Sequence, residues 1–445
     1  MSPPRRPRLH AAAVCAPGLE AVTAAELTAL GVAPGRAARG LVPFSTTVRN
    51  LYAANLWLRT ATRVVVRIAT FESRDLDAFA ARARGVPWEP WLAPGVPVRF
   101  RVTTHACRLN HTTALAERLA RAAGVDLAAA EAPGEPPVDD DDGLPPPLVV
   151  VRGVHDRFTI SVDSSGAPLH RRGWRRAVAK APLRPTVAAA LLLASGWDPA
   201  TPLVDPFCGS GTITIEAARL ARRLPPATER AFAFEAWPDV EHGTWASVRG
   251  EARSRALDHA PAPILGRDRD EGAVAAATGN AERAEVTADV AFAVAAVSDL
   301  EPPAPRSTGS EPEPVDGPSP RATTEATGEA TGDDRRAAWI VTNPPWGGRV
   351  AGGGDLRNLY ARFGTVARKR LTGGRVVLLA ADPVLAGHTG LRLTELFATD
   401  SGGVAVQALT APLDPPGRSP RPTRPSSPGT PRRSRRGAGT PPGDR

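Results

Sequence analysis

The sequence predicts an α/β protein of two or three domains, with a parallel sheet in its second half. From about residue 180, strand-like apolar segments alternate with helical segments, a pattern typical of a parallel sheet with helices on both faces. The chain has 445 residues, too many for one typical domain. Apolar residues make up 42% of it, so a sizeable core can form.

The composition excludes several classes of protein. Cys15, Cys107 and Cys208 are too few and too scattered for a disulfide framework or a structural zinc site, so we expect a reducing cytoplasm and no metal. No apolar run approaches the 18 residues of a membrane span. The apolar stretch 11–16 is shorter than a signal-peptide core, so we expect neither membrane attachment nor secretion.

Three segments are predicted to lie outside the packed core, because each has too little apolar surface to offset its ordering entropy. They are 129–147 with its acidic run, 301–336, and the Arg- and Pro-rich tail 412–445. Their net charges are −6, −4 and +6, so the remainder carries +13 where the whole chain carries +9. The basic surplus therefore belongs to the folded parts and favours a polyanionic partner.

Ahead of residue 180, strands and helices also follow one another. We predict a strand from residue 9, helices over 19–30 and 47–58, a strand over 96–103, an amphipathic helix over 112–123, and strands over 149–154 and 157–162. No fixed-period repeat is present.

One loop carries a strong signal for a ligand. An apolar strand ends at Asp205, and the turn PFCGSG at 206–211 leads into a helix over 213–223. Its glycines let a ligand approach the backbone closely. No Gly-Lys-Ser/Thr follows, and the third glycine of a dinucleotide fingerprint is missing. An acid before the turn would repel a pyrophosphate but suits a cationic ligand such as the amino acid portion of S-adenosylmethionine; the alternative is an ordinary strand–helix turn.

Two further acids follow predicted strands. A strand over 264–268 ends at Asp268, where an acid can accept hydrogen bonds from both ribose hydroxyls. After a helix over 271–283, a strand over 290–297 leads to Asp299, where an acid can accept from an adenine amino group. Each acid alone is weak evidence, because strand-end acids commonly cap the next helix. Their order after Asp205 favours a nucleoside site.

A second strong motif is TNPPWGG at 342–348, which follows a short apolar strand. The two prolines stiffen the turn and remove two backbone donors, so the local polar surface is carbonyl oxygen. The side-chain oxygen of Asn343 and the carbonyl of Pro344 can both accept hydrogens from one exocyclic nitrogen. Trp346 offers a stacking face for a planar base. The alternative is a proline-stiffened turn with a buried tryptophan.

With these motifs the chain resembles class I S-adenosylmethionine-dependent methyltransferases that methylate amino groups. More narrowly, it is similar to the THUMP-containing RNA guanine-N2 methyltransferases, which include bacterial 23S rRNA enzymes. The narrower likeness rests on VDSSGAPLHRRGWR at 162–175, APLR at 181–184 and the helix 186–193, joined to DPFCGSGT at 205–212. It covers about residues 9–300 and 337–411.

The resemblance implies a ferredoxin-like subdomain over 1–67, a THUMP RNA-binding domain over 68–165 and a Rossmann-like methyltransferase domain with a mostly parallel seven-stranded sheet over 166–411. Carried over residue by residue, it also implies a set of site residues. Asp205, Phe207, Cys208, Gly209 and Gly211 would contact the methionine end of S-adenosylmethionine, Asp268 its ribose and Asp299 its adenine, while Asn343, Pro344, Pro345 and Trp346 would receive the target amine.

The chain departs from the family pattern at two places. Pro185 stands where the family usually has an acidic residue, although proline suits the first turn of a helix. The segment 301–336 separates Asp299 from Asn343 more than is usual. We expect it to loop out, because both motifs should lie at adjacent strand ends.

Basic residues predict an RNA path, since phosphate contacts position RNA without reading its sequence. The candidates are Arg108, Asn110 and His111 in the THUMP-like part, and Arg171, Arg172 and Arg175 before the catalytic part. The alternative for any one of them is a solvated basic surface.

The sequence thus predicts methyl transfer from S-adenosylmethionine to the N2 amine of a guanosine in structured RNA, with 23S rRNA preferred over tRNA. A DNA adenine-N6 or protein-glutamine methyltransferase can use the same motif, but the THUMP-like region and the basic charge favour RNA. An alternative of a different class is a non-catalytic RNA-binding or assembly protein with a relic fold. The intact Asp205, Gly209, Gly211 and Asn343 argue against it.

Overall fold

The computed structural model describes residues 8–128, 145–176, 183–227, 230–303, 337–347 and 355–413. These residues build two seven-stranded sheets. The predicted unpacked segments 129–147, 301–336 and 412–445 lie almost wholly outside the described residues.

The N-terminal part of the chain forms the first sheet. Its strands are β1 (Leu9–Cys15), β2 (Leu41–Thr46), β3 (Ala61–Glu72), β4 (Pro97–His105), β5 (Asp126–Leu127), β6 (Leu148–Val154) and β7 (Arg157–Asp163), and its helices are α1 (Glu20–Ala29), α2 (Val48–Trp57), α3 (Leu76–Arg84) and α4 (Thr112–Ala123). The strand order is β2-β1-β3-β7-β6-β4-β5. Neighbouring strands are antiparallel, except that β4 runs parallel to β6 and β5.

Strand β3 belongs to both predicted N-terminal parts. Its first half pairs with β1 and its second half with β7. The division predicted at residue 67 therefore falls inside one continuous strand of 12 residues, and the two parts share a sheet.

All four helices pack on one face of this sheet. Strand residues such as Val64 and Val149 are buried in the same core as the helix residues Leu51, Phe79 and Leu119. An antiparallel arrangement of this kind can leave its other face to solvent.

The C-terminal part forms the second sheet. Its strands are β8 (Leu203–Asp205), β9 (Ile264–Asp268), β10 (Val290–Val294), β11 (Trp339–Thr342), β12 (Arg375–Ala380), β13 (Thr394–Ser401) and β14 (Val404–Pro412), and its helices are α5 (Pro185–Ser195), α6 (Thr212–Ala221), α7 (His242–Arg255), α8 (Glu271–Arg283), α9 (Arg357–Arg370) and α10 (Pro383–Gly387). The order is β10-β9-β8-β11-β12-β14-β13, and all neighbouring strands are parallel except that β14 runs antiparallel to both β12 and β13. The predicted Rossmann-like, mostly parallel sheet is confirmed, and Pro185 occupies the first turn of α5.

One expectation about this topology is wrong. Asp299 follows β10 and Asn343 follows β11, but β9 and β8 lie between those two strands. The strand order reverses at β8, so after β10 the chain must cross back to the far side of β8. The two motifs therefore do not lie at adjacent strand ends.

No helix within the described ranges is long and apolar enough to cross a membrane. Within the same ranges, no three side chains of metal-ligating type come together. The three cysteines are free.

Candidate active site

Hydrogen bonds fix the loop after β8 against the end of β9. The Cys208 amide donates to the Arg267 carbonyl at 2.9 Å, and the Gly209 amide donates to Asp268 Oδ2 at 2.9 Å. The other Asp268 oxygen accepts from the Asp270 amide at 3.1 Å. Asp270, and not Asp268, caps α8. The Asp268 carboxylate therefore holds the loop, and the helix-cap alternative does not apply to it.

Glycines shape this loop in two different ways. At Gly211, with φ +81°, an added Cβ would lie 3.0 Å from Ala277 Cβ; at Gly266 it would lie 2.6 Å from the Phe292 ring. These two glycines let the loop, β9, β10 and α8 pack closely. At Gly209, with φ +51°, an added Cβ would meet no atom within 4 Å. Gly209 therefore leaves space beside the backbone that a ligand can use.

The Asp205 carboxyl is buried at the end of β8, with 1% of the residue exposed. Its Oδ1 accepts hydrogen bonds from Thr342 Oγ1 at 2.6 Å and from the Phe207 amide at 3.1 Å. Burial raises the pKa of Asp205 to about 7, while these two hydrogen bonds lower it and the Asp268 charge raises it further. A cation placed beside this carboxyl would favour its ionised form.

The other two predicted loop residues pack the loop in place. Cys208 is buried, and burial raises the pKa of its thiol, so it is a neutral packing group and not a nucleophile. The Phe207 ring meets the Phe363 ring of α9 edge-on, with centroids 5.7 Å apart.

The Asn343 motif follows β11, and hydrogen bonds to α9 and β12 hold it in place. Tyr360 of α9 donates its hydroxyl to the Pro345 carbonyl at 3.0 Å. The half-buried Trp346 donates its indole N–H to the Leu379 carbonyl of β12 at 3.2 Å. Pro344 is buried, and the buried Asn343 Oδ1 has no hydrogen-bond partner among the described residues. The loop thus presents a fixed, buried acceptor.

The structure brings Asp205, Asp268 and Asn343 to one edge, because β9, β8 and β11 are parallel neighbours. Asp299 also follows a parallel strand, but it is exposed and its carboxylate accepts from the Ser298 hydroxyl at 3.1 Å. Its backbone carbonyl accepts from the Arg267 guanidinium. No hydrogen bond of the described residues joins the Asp299 side chain to the loop after β8.

Sequence reasoning missed Thr342, Tyr360 and Phe363. Thr342 lies inside the predicted motif, so its position before Asn343 was a usable signal. Tyr360 is one of only two tyrosines in the chain, yet nothing in its local sequence ties it to Pro345.

The predicted RNA residues fall into three different environments. Arg108, Asn110 and His111 are exposed in the connection between β4 and α4. Arg171 is half-buried. The Nε and Nη2 atoms of Arg175 are buried without a partner in the described structure, and burial lowers the pKa of this guanidinium.

The prediction that Arg172 contacts RNA is wrong. Only 1% of this residue is exposed, because Nε donates to Glu216 Oε1 of α6 at 2.9 Å. Its other nitrogens donate to the carbonyls of Leu169 at 2.8 Å and Arg59 at 2.6 Å. Arg59 Nη1 also approaches Glu216, at 3.4 Å. Arg172 therefore joins the N-terminal sheet to the helix that follows the ligand loop.

Two family profiles match this chain. The profile of the RMKL-like methyltransferase domain matches residues 172–310 and 329–393, which include Asp205, Asp268 and Asn343. Over these residues the chain is similar to RMKL-like methyltransferase domains. The profile of the RlmL ferredoxin-like domain matches residues 10–65, so the predicted ferredoxin-like fold ahead of the methyltransferase domain is confirmed.

Individual relatives extend this likeness over both sheets. A Synechocystis sp. protein, whose assignment as an RNA methyltransferase is provisional, is 29% identical over 394 residues, 88% of this chain and 94% of that protein. The ribosomal RNA large subunit methyltransferase K/L of Syntrophotalea carbinolica is 32% identical over 400 residues, 88% of this chain and 52% of that enzyme. The chain thus spans about half the length of the K/L enzymes it matches.

A solved structure has a similar fold over most of the chain. It is a Listeria monocytogenes protein described as a predicted N6-adenine-specific DNA methylase, which is 26% identical with a TM-score of 0.72. The match covers 90% of this chain and 96% of that one.

Proposed function

We propose that this chain transfers a methyl group from S-adenosylmethionine to the exocyclic N2 amine of a guanosine in structured RNA, and that this RNA is 23S rRNA. The observation that carries the proposal is the buried Asn343 Oδ1, which has no partner among the described residues. A buried acceptor without a partner costs about 1–3 kcal/mol, and an amine bound there would remove that cost. The names of the K/L relatives support ribosomal RNA as the substrate.

The residues at the edge of the sheet fit S-adenosylmethionine, which supplies a methyl group on a positively charged sulfur when bound. Asp205 places a carboxyl near the ligand's cationic end, and Gly209 leaves space for a close approach to the backbone. Asp268 holds the Gly209 amide with one oxygen and has further lone pairs for ribose hydroxyls. Asp299 would accept from the adenine amino group, while Phe207, Cys208 and Gly211 fix the shape of the loop.

Positioning and charge stabilisation supply most of the catalysis. Asn343 Oδ1 and the Pro344 carbonyl accept the two hydrogens of the amine and turn its lone pair toward the methyl carbon. S-adenosylmethionine, held by Asp205, Asp268 and the loop at Gly209, would supply the methyl group to this nitrogen and would keep the electron pair of the carbon–sulfur bond. The nitrogen then loses a proton to water, so no strong base is needed. Trp346 stacks on the guanine, which must leave its own stack to arrive there.

RNA is held by the parts of the chain outside the catalytic edge. We propose that residues 68–165 act as a THUMP RNA-binding domain, and that Arg108, Asn110, His111, Arg171 and Arg175 contact phosphates. The exposure of Arg108, Asn110 and His111 supports this role.

The direct test is incubation of the purified chain and methyl-labelled S-adenosylmethionine with total RNA from a strain that lacks this protein. The expected product is N2-methylguanosine in the 23S rRNA fraction. Label in tRNA alone would contradict the choice of substrate. N6-methyladenosine as the product would contradict the choice of atom. Failure to bind the cofactor in isothermal titration would favour the non-catalytic alternative.

A further inference from the structure

The first sheet has a face that its helices do not cover. Successive strand residues point to opposite faces, and α1 to α4 pack on the face that carries Val64 and Val149. On the opposite face, the row nearest the methyltransferase domain is buried and includes Val65, Asp163 and Leu148. Beyond that row most residues of this face are partly or fully exposed.

Arginines dominate the open part of this face. The register aligns three rows across β3, β7, β6 and β4: Arg67, Ser161, Val150 and Arg101 in the first, Thr70, Thr159, Arg152 and Thr103 in the second, and Glu72, Arg157, Val154 and His105 in the third. All four arginines are exposed. None of them forms an ion pair among the described residues, and Glu72 is the one acid in these rows.

The spacing of the four arginines suits an extended polyanion. Neighbouring strands lie about 4.8 Å apart, and residues two apart on one strand about 6.7 Å apart. Arg67 on β3 and Arg101 on β4 share the first row and are three strands apart, about 14 Å. Arg152 lies in the second row, on β6, which is the neighbour of β4. A small anion can reach only neighbouring groups such as Arg101 and Arg152, whereas a sugar–phosphate backbone can also meet groups as far apart as Arg67 and Arg101.

The other side chains on this face indicate whether the bound nucleic acid is single- or double-stranded. The three rows hold Thr, Ser, Val and His, but no Phe, Tyr or Trp. Proteins that hold single strands usually stack the bases on aromatic rings, while contacts to a double-helical backbone need only charge and hydrogen-bond donors. The charge and the lack of aromatic rings together favour a duplex.

We infer that the open face defined by Arg67, Arg101, Arg152 and Arg157 binds the sugar–phosphate backbone of a double-stranded RNA segment of the substrate. This inference rests on the proposed function in taking RNA as the partner, and it assigns the duplex arm of that RNA to a surface distinct from the Arg108–His111 connection. The duplex lies on the sheet while the methyltransferase domain receives the target base.

The test compares two double variants of the full chain that remove the same charge. Arg101→Gln with Arg152→Gln changes the open face; Arg82→Gln with Arg84→Gln changes exposed arginines of α3, on the covered side. Binding to a 20-base-pair RNA hairpin is measured without cofactor at several salt concentrations. The open-face variant should bind about tenfold more weakly, and the slope of log affinity against log salt should fall by about two. The α3 variant should match the wild type.

Three results would overturn the inference. Equal hairpin affinity for the two variants would do so, as would an open-face defect confined to an unstructured oligouridine of the same length. Binding of the face to anionic lipid vesicles without binding to RNA would also do so. If Arg101→Gln with Arg152→Gln lowers the melting temperature, Arg67→Gln with Arg157→Gln repeats the test on the same face. Because no cofactor is present, a failure of the methylation assay leaves this result standing.

Discussion

Thr342 donates its hydroxyl to Asp205 Oδ1 at 2.6 Å, although 137 residues separate them in the chain. Both side chains are buried, with 0% and 1% of the residue exposed. Thr342 immediately precedes Asn343, and Asp205 immediately precedes the ligand loop. One hydrogen bond therefore couples the acid of the proposed cofactor site to the backbone that carries the proposed amine acceptor.

Thr342→Val keeps the volume of the side chain and removes this coupling. A hydrogen bond to an ionised group is worth about 1.5–3 kcal/mol, so we expect cofactor affinity to fall by about 10- to 100-fold, with a loss of turnover. Thr410→Val is the matched control, because it removes a buried hydroxyl that donates to the Val376 carbonyl at 2.9 Å. Isothermal titration of both variants with S-adenosylmethionine checks the prediction. Equal affinity of the two variants would refute it.

The charge state of Asp205 predicts a pH dependence of cofactor binding. Burial raises the pKa of this carboxyl to about 7, so it is neutral below that pH and ionised above it. Only the ionised form attracts a cation. Cofactor affinity should therefore fall by up to about tenfold for each pH unit below 7 and level off above it. Titrations from pH 5.5 to 8.5 measure this, and Asp205→Asn should flatten the profile. An unchanged slope in that variant would assign the titration to another group.

Gly209→Ala, compared with the same change at Gly196, distinguishes the loss of ligand space from the effect of backbone strain. An alanine there takes a left-handed φ at a cost of about 1–2 kcal/mol, and its Cβ enters the open space beside the loop. Gly196, with φ +71° and equally open surroundings, is the control for strain alone. Both variants should lose a similar amount of thermal stability, while only Gly209→Ala should weaken cofactor binding, by at least about tenfold. Equal cofactor affinity in the two would show that the open space is not used.

Tyr360 positions the Asn343 loop through the Pro345 carbonyl. Tyr360→Phe removes a single hydrogen bond worth about 1 kcal/mol, so kcat should fall about fivefold while the cofactor dissociation constant stays unchanged. Tyr52, the chain's other tyrosine, accepts from the Glu241 amide at 3.0 Å, and Tyr52→Phe should change stability without changing kcat. A parallel fall in kcat for both variants would indicate a general loss of stability instead.

The sequence predicted those features that local patterns encode. Helices α4 and α8 have the predicted bounds, because apolar spacing and end signals such as Asp270 are local. The meeting of Asp205, Asp268 and Asn343 was also predictable, since parallel strands align their carboxyl ends.

Features set by distant contacts could not be predicted. Arg172 lies in the basic run HRRGWRR, which by its sequence is typical of an exposed RNA contact. Its partner Glu216 lies 44 residues later, so the local sequence does not show that the charge of Arg172 is neutralised. The separation of Asp299 from Asn343 depends on strand order, which no local pattern specifies. The Tyr360 contact joins α9 to Pro345, and only the packing of that helix brings the two together.

In the proposed mechanism Asn343 accepts the target amine and takes no part in holding the cofactor. The most direct measurement is to compare wild type and Asn343→Ala in one preparation, by isothermal titration with S-adenosylmethionine and by methyl transfer to 23S rRNA. We expect Asn343→Ala to lose at least about 100-fold in turnover, with a cofactor dissociation constant within about threefold of wild type. Retained turnover, or a cofactor affinity that falls together with turnover, would contradict it.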